Sequence, residues 1–201
     1  MLLRIDELSR GDHAYLTEED RCFYIREYTS HEGYTASETN QLVFNLKCPV
    51  PPPSKRVYWK NQAIRIAAHD ISDALAGLPT DEIAFIPLPP SKLPGTAGYD
   101  PRVRDMLREA ESKVGIRVVD ALTIKRDRPA AHESPDRASI TEHEANLAVQ
   151  SLDWVDAKTV AIFDDVLTSG TQFKAAMNVL RRHSPNSNFV GVFWVRRIFP
   201  E

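Results

Sequence analysis

Residues 160–171 read Val-Ala-Ile-Phe-Asp-Asp-Val-Leu-Thr-Ser-Gly-Thr. The four apolar residues that open this stretch are typical of a central parallel strand, buried on both faces. Two carboxylates follow them directly, where the strand is predicted to end. Ligands of open α/β sheets bind at that carboxyl edge. A hydroxyl-rich turn and a helix come next, so the stretch predicts a strand, a ligand-binding edge and a helix in succession.

The predicted turn has the chemistry of a phosphate cradle. A helix N-terminus offers free backbone N–H groups and the positive end of the helix dipole. Gly170 permits backbone conformations that a side chain would hinder. The hydroxyls of Thr168, Ser169 and Thr171 add hydrogen-bond donors. The turn is therefore predicted to bind a phosphate group.

Asp164 and Asp165 restrict the ligand that this turn could hold. Their carboxylates would repel a phosphate, but they can accept hydrogen bonds from the hydroxyls of a sugar diol. A diol close to a phosphate is the chemistry of a ribose 5-phosphate. The alternative is that these residues form only a turn and a helix cap, in which Asp, Ser, Thr and Gly are common. The complete ordered run favours the ligand site.

Apolar patterns on both sides of this stretch alternate between strand and helix spacing. Pro101 fits the start of one helix, and Gly115 fits the position after its end. The alternation predicts an α/β fold with a mainly parallel sheet flanked by helices. Strands are predicted over 82–86, 116–119, 122–124, 159–163 and 189–195, and helices over 59–75, 101–114 and 172–182.

The proline-rich run at 49–53 ends any element before it and divides the chain. We expect an N-terminal extension or hood over residues 1–53 and an α/β domain over residues 54–201. Residues 22–28 have the composition of a strand. Ser37 fits the cap of a short helix, although the residues after it could also form a strand.

Residues 125–144 are polar and charged, with almost no apolar periodicity. They predict an exposed connection that is among the least ordered parts of the ligand-free protein. Two histidines in this connection, His132 and His143, are either acid–base groups or ordinary exposed loop residues.

The run at 160–171 resembles the motif of the type I phosphoribosyltransferases that binds phosphoribosyl pyrophosphate (PRPP). That motif is an apolar strand, two acidic residues, two apolar residues and then Thr-x-Gly-x. The resemblance implies that Asp164 and Asp165 contact the ribose hydroxyls and act in catalysis. It implies that residues 168–172 hold the 5-phosphate, which adds Gln172 to the site. Many relatives have Thr where this chain has Ser169, which keeps the hydroxyl.

A weaker resemblance, to the ComF-like branch of that family, extends over residues 82–197. Residues 85–89 read Phe-Ile-Pro-Leu-Pro and resemble the strand and turn that lead to the pyrophosphate loop. Asn146 resembles the Asn of the mobile hood. The chain departs from the branch at Ala97 and His143, where relatives have Arg.

The resemblance also implies further ligand-binding residues. Ser91 and Lys92 lie in the implied pyrophosphate loop, where Lys92 would neutralise charge on the leaving group. Arg126 and Arg128 lie in the connection that would close over the ligand. Mg²⁺ is the implied cofactor, and it would be held through the substrate without direct protein ligands.

These residues imply transfer of ribose 5-phosphate from PRPP to a nitrogenous acceptor, with release of pyrophosphate. The alternative is a non-catalytic protein that senses PRPP or a nucleotide through the same fold. The acceptor, a base or nucleotide, is not identified by the sequence. The sequence does not determine the oligomeric state, and a homodimer is one possibility.

Composition excludes some other classes of partner. The formal net charge is −3, which gives no electrostatic footprint for duplex nucleic acid. No apolar run approaches the length of a membrane span, and acidic residues interrupt the N-terminus too early for a signal peptide. Cys22 and Cys48 have no zinc-ligand spacing, which favours reduced thiols. We therefore expect a cytoplasmic protein without membrane contact.

Overall fold

The computed structural model describes residues 1–51, 53–128 and 138–200. Eight strands and six α-helices lie in these ranges. The strands are β1 Leu3–Arg4, β2 Arg21–Thr29, β3 Ile83–Pro87, β4 Arg117–Val118, β5 Leu122–Ile124, β6 Leu147–Val149, β7 Thr159–Leu167 and β8 Asn188–Ile198. The helices are α1 Glu7–Arg10, α2 Glu38–Leu46, α3 Val57–Leu75, α4 Arg102–Val114, α5 Ile140–Asn146 and α6 Thr171–Arg181.

Six strands form one sheet in the order β1-β2-β8-β7-β3-β4. Every neighbouring pair is parallel except β1 and β2. The remaining two strands, β5 and β6, form a separate antiparallel pair. The predicted α/β fold with a mainly parallel sheet flanked by helices is confirmed at this level.

β7 lies at the centre of the sheet between β3 and β8, as its apolar run predicted. Ile162 is completely buried, as a central strand requires. The strand is longer than predicted, because it pairs with β8 as far as Leu167 opposite Arg196. Asp164 and Asp165 therefore lie inside the strand, and the prediction that they follow its end is wrong.

Helices cover both faces of the sheet. On one face, the buried residues of α2, α3 and α4 pack with Phe163, and Leu107 of α4 is completely buried there. On the other face, α6 and the β5–β6 pair pack with Ile162, and Phe173 of α6 is buried there. The alternating side chains of β7 thus fill two cores, one on each face.

The N-terminal segment contributes two strands to this sheet. β2 pairs with β8 in parallel from Arg21 opposite Val190 to Thr29 opposite Ile198. Of the two structures considered for the residues after Ser37, the helix is present, and the Ser37 side chain accepts a hydrogen bond from an N–H of its first turn. The division of the chain at residue 53 stays a prediction.

The connection after β5 contains a helix, α5, that the sequence analysis missed. Ser139 and Glu142 form a capping box at its start. Glu144 accepts hydrogen bonds from Asn178 and Arg182 of α6, which anchors the short helix. The sequence analysis predicted no helix in this connection, and α5 corrects that over residues 140–144. Residues 129–137 of the connection, His132 among them, lie outside the described residues. The low order of the connection stays a prediction.

In the described part of the chain, no helix combines the length and apolarity needed to cross a bilayer. Cys22 and Cys48 are both free and buried. Trp194 is completely buried and its indole N–H donates to Asp70, whereas Trp59 is 54% exposed.

Candidate functional site

The turn between β7 and α6 leads into a helix start that has no side-chain cap from a described residue. Gly170 is the N-cap of α6 and has a left-handed backbone with φ +85°, which favours glycine. The first N–H groups of an α-helix have no acceptor within the helix, and within residues 1–51, 53–128 and 138–200 no side chain caps those of α6. The hydroxyls of Ser169 and Thr171 lie 2.8 Å apart beside them. The turn therefore presents a group of donors suited to an anion.

The N-terminal segment packs against the same turn. The Nδ1 atom of His13 lies 2.5 Å from the carbonyl oxygen of Thr168. The backbone N–H of Tyr15 donates to the carbonyl of Ser169 at 2.9 Å. Nothing in the sequence around His13 indicates this contact, because 155 positions separate it from Thr168.

Asp165 faces the layer formed by α2, α3 and α4. Its Oδ2 accepts a hydrogen bond of 2.7 Å from Nε of Arg102 at the start of α4. Lys47, which ends α2, places its ammonium 4.0 Å from the other carboxylate oxygen. The Asp165 side chain is only 6% exposed. This carboxylate is thus paired with two cations.

The ion pairs of Asp165 continue into a network that the sequence analysis did not predict. Arg102 also donates to Asp100 at 2.8 Å, and the ammonium of Lys60 lies 2.9 Å from the same carboxylate. Lys60 is buried and also donates to two backbone carbonyls at the end of α2, at 2.6 and 3.0 Å. A signal was present, because Lys60 falls at helical spacing with the buried residues Ala63 and Ala67.

Asp164 differs from Asp165 in its surroundings. Neighbouring strand residues point to opposite faces, so Asp164 lies on the side of α6. It accepts a hydrogen bond of 2.8 Å from the backbone N–H of Asp165 and forms no ion pair with a described residue. Burial, and then the charge of Asp165, raise the pKa of Asp164 to about 7. Burial opposes ionisation of Asp165 as well, but Lys47 and Arg102 hold its pKa well below its ordinary value.

Arg128 is the predicted mobile-loop residue that the structure brings to the site. Its Nη2 donates to Gln172 at 3.3 Å, its Nη1 contacts His143, and its backbone N–H donates to Ser91 at 2.8 Å. Burial lowers the pKa of Arg128, while the charge of Asp164 opposes that shift. The Nε of Arg128 is buried and has no partner among the described residues. The structure therefore brings together, around the guanidinium of Arg128, three other predicted site residues: Gln172, Ser91 and Asp164.

His143 lies in the same cluster and stays neutral. Burial, and then the charge of Arg128, lower the pKa of His143 to about 4. A neutral imidazole can contact the guanidinium of Arg128 without charge repulsion. His143 is thus half-buried and not the exposed loop histidine that was one alternative, whereas its role as an acid–base group stays a prediction.

The other two predicted cations lie outside this cluster. Arg126 is exposed, and its backbone exchanges two hydrogen bonds with the side chain of Asn146, at 3.1 and 2.9 Å. The ammonium of Lys92 forms no hydrogen bond or ion pair with a described residue. A neighbouring contact joins their two loops, since the carboxylate of Asp127 accepts from the N–H of Leu93 at 2.7 Å.

Asp164→Asn is expected to stabilise the folded protein at neutral and alkaline pH. The raised pKa of Asp164 means that folding favours its protonated form, and this contribution is lost as the pH rises through about 7. Asn never ionises, so the stability gain of the variant should grow from about pH 4 to pH 7 and then level off. We expect a gain on the order of 2 kcal/mol at pH 8. Urea unfolding at pH 4 and pH 8 checks this, and an equal gain at both values would contradict it.

No protein-family model matches the chain, and no curated protein matches it. Its fold class is α/β with a mostly parallel six-stranded sheet. Among the described residues, no three His, Cys, Asp or Glu side chains group in a way that could hold a metal ion.

Proposed function

We propose that the chain is a type I phosphoribosyltransferase that binds PRPP and transfers its ribose 5-phosphate to a nitrogenous acceptor, releasing pyrophosphate. The observation that carries the proposal is the uncapped turn at residues 168–172, which follows an acid pair on the central strand, half-buried Asp164 and buried Asp165. An anion held by the turn would lie next to carboxylates that can accept from a diol. The resemblance of the same residues to the PRPP motif supports this assignment.

The proposed roles follow from what each side chain contacts. The N–H groups and hydroxyls of the turn would hold the 5-phosphate, and Asp164 would accept from the ribose hydroxyls. Arg128 has a buried Nε without a partner among the described residues, so it can donate to an anionic group placed beside Gln172. Ser91 and Lys92, on the adjoining loop, would face the pyrophosphate. Departure of pyrophosphate leaves positive charge on the ribose, so catalysis would depend on holding these groups in place.

The oxygen donors near the turn fit Mg²⁺ that arrives with the substrate. Mg²⁺ is usually held by one or two carboxylates together with substrate phosphates. In this proposal the substrate carries the Mg²⁺ and no protein side chain is a direct ligand, while Asp164, which forms no ion pair with a described residue, supplies negative charge nearby. Bound Mg²⁺ would neutralise charge on the pyrophosphate.

One observation favours the alternative, a protein that binds PRPP or a nucleotide without turnover. Asp165 is paired with Arg102 at 2.7 Å and lies 4.0 Å from Lys47. A carboxylate that is already paired with cations is less available to a ribose hydroxyl. Asp164 is then the one acid of the pair that is free for the ligand. One acid is sufficient for binding the ribose, but it supports catalysis less well than two.

Measuring pyrophosphate release from PRPP across a panel of bases and nucleotides, with PRPP binding measured alongside, distinguishes the two functions. PRPP binding with acceptor-dependent release of pyrophosphate would support the transferase. Binding without release for the whole panel would support the sensor. Absence of PRPP binding would exclude the transferase and a PRPP sensor, and absence of nucleotide binding as well would exclude the alternative altogether.

Asp164→Asn is expected to weaken PRPP binding about ten- to a hundredfold at pH 8. A charge-assisted hydrogen bond to a ribose hydroxyl contributes about 1.5–3 kcal/mol, and Asn replaces it poorly. Relief of repulsion toward the phosphates offsets part of that loss. Inorganic phosphate, which has no diol, should bind the variant at least as well as the wild type. Calorimetric titration of both ligands checks this, and equal PRPP affinity would exclude a role for Asp164 in ribose binding.

A further inference from the structure

Residues 12–16 form a strap that lies against the anion-binding turn and donates hydrogen bonds to two of its carbonyl oxygens. Nδ1 of His13 lies 2.5 Å from the carbonyl of Thr168, and the N–H of Tyr15 donates to the carbonyl of Ser169. We propose that His13 is a positioning residue, which holds the turn so that its N–H groups face the phosphate of the ligand. This inference rests on the proposed function of the turn.

The planarity of the peptide bond connects these contacts to the ligand. In a trans peptide unit the C=O and the N–H point in opposite directions. The Thr168 carbonyl shares its unit with the Ser169 N–H, and the Ser169 carbonyl shares its unit with the Gly170 N–H. Since the strap binds both carbonyls, both N–H groups point away from the strap. They join the uncapped N–H groups at the start of α6 as donors to one anion.

The chemistry of His13 fits this role. A carbonyl oxygen only accepts, so Nδ1 of His13 must carry the proton that it donates to Thr168. His13 is completely buried, and its Nε2 has no partner among the described residues. Burying a polar group without a hydrogen bond costs free energy, so the unpartnered Nε2 makes burial of this ring unfavourable. The one hydrogen bond of the His13 side chain with a described residue is the bond that orients the Thr168–Ser169 peptide.

Other contacts fix the strap to the elements on either side of the turn. Asp20, a few residues after the strap, binds the ammonium of Lys174 in α6 through both carboxylate oxygens at 2.8 Å. Its side chain is only 3% exposed, so this ion pair is shielded from solvent. Asp12 lies 3.5 Å from Arg196 in β8. The position of His13 is therefore set by both α6 and β8.

Three substitutions separate orientation of the turn from packing. The amide nitrogen of Asn lies as many bonds from Cα as Nδ1 of His, whereas the amide nitrogen of Gln corresponds to Nε2. His13→Asn should therefore keep the bond to Thr168, and His13→Gln is its matched control. His13→Leu removes the donor altogether. We expect affinity for ribose 5-phosphate to fall about tenfold in the Leu and Gln variants and to stay within about threefold in the Asn variant.

The wild type is titrated first with inorganic phosphate and ribose 5-phosphate, and absence of binding there would remove the proposed function itself. If the wild type binds, equal affinity in folded His13→Leu, or no rescue by Asn relative to Gln, would overturn the role of His13. Hydrogen exchange on the wild type tests the inference without any variant, so the test still works if the His13 variants do not fold. Hydrogen exchange at the N–H groups of Ser169 and Gly170 should be fast without ligand and slowed by phosphate, and protection without ligand would overturn the inference.

Discussion

Asp165→Asn is expected to destabilise the folded protein by about 3 kcal/mol at pH 7. Removing one partner of a buried ion pair leaves the other charge without compensation, which costs about 3–5 kcal/mol. Arg102 keeps its second partner, Asp100, and its side chain is 24% exposed, so the lower end of that range applies. Lys47 also loses its nearby negative charge. Urea unfolding followed by circular dichroism measures the change.

The pH dependence of this penalty has a definite sign. The depressed pKa of Asp165 means that its contribution to stability is present above the ordinary value of 3.8 and is lost as the pH falls below it. The difference between the variant and the wild type should therefore shrink in acid. Asp156→Asn is the matched control, because its ion pair with Arg117 is exposed and should contribute nothing measurable. Equal stability of Asp165→Asn and the wild type at pH 7 would contradict the role given to this network.

The sequence predicts the features of the site that depend on neighbouring residues. An unbroken apolar run is sufficient to place residues 159–163 in a buried central strand. The turn into α6 also follows from local chemistry, since Gly170 adopts the left-handed backbone that favours glycine. These predictions hold because the residues that determine the strand and the turn are the same residues that form them, or lie within a few positions of them.

Contacts between distant segments were not predictable in the same way. The length of β7 beyond Phe163 depends on β8, which offers pairing partners as far as Arg196. The partners of Asp165 come from the end of α2 and the start of α4. His13 reaches Thr168 from the far end of the chain. No periodicity or motif in one sequence specifies which of these segments meet.

α5 is a different case, because its signal was present in the sequence. Ser139 and Glu142 have the spacing of a capping box, which marks the start of a helix. The polar composition of residues 125–144 masked that signal, since a helix of seven residues has little apolar surface to display. The helix is held by hydrogen bonds from Asn178 and Arg182 of α6 to Glu144 and by Ile140, which packs against the core.

Gly170→Val is expected to reduce affinity for ribose 5-phosphate by about a hundredfold or more. The backbone of Gly170 has φ +85°, a conformation that costs an L-residue about 1–2 kcal/mol. A Cβ at this position would also lie 2.8 Å from Cδ2 and 3.1 Å from Cγ of Leu16, which is buried. Relief of that contact requires the buried Leu16 side chain, the strap or the turn to shift. Movement of the strap or the turn misplaces N–H groups whose bonds to a charged phosphate contribute about 1.5–3 kcal/mol each.

Gly77→Val separates this effect from backbone strain alone. Gly77 has a similar φ of +77°, lies after α3, and has open space where a Cβ would be placed. Both variants should lose stability through the strained backbone, but only Gly170→Val should lose the ligand. Calorimetric titration of ribose 5-phosphate against the two variants, after circular dichroism has established that each is folded, decides the matter. A folded Gly170→Val protein with wild-type affinity would contradict the assignment of the phosphate to this turn, because a left-handed backbone at this position is strained for Val.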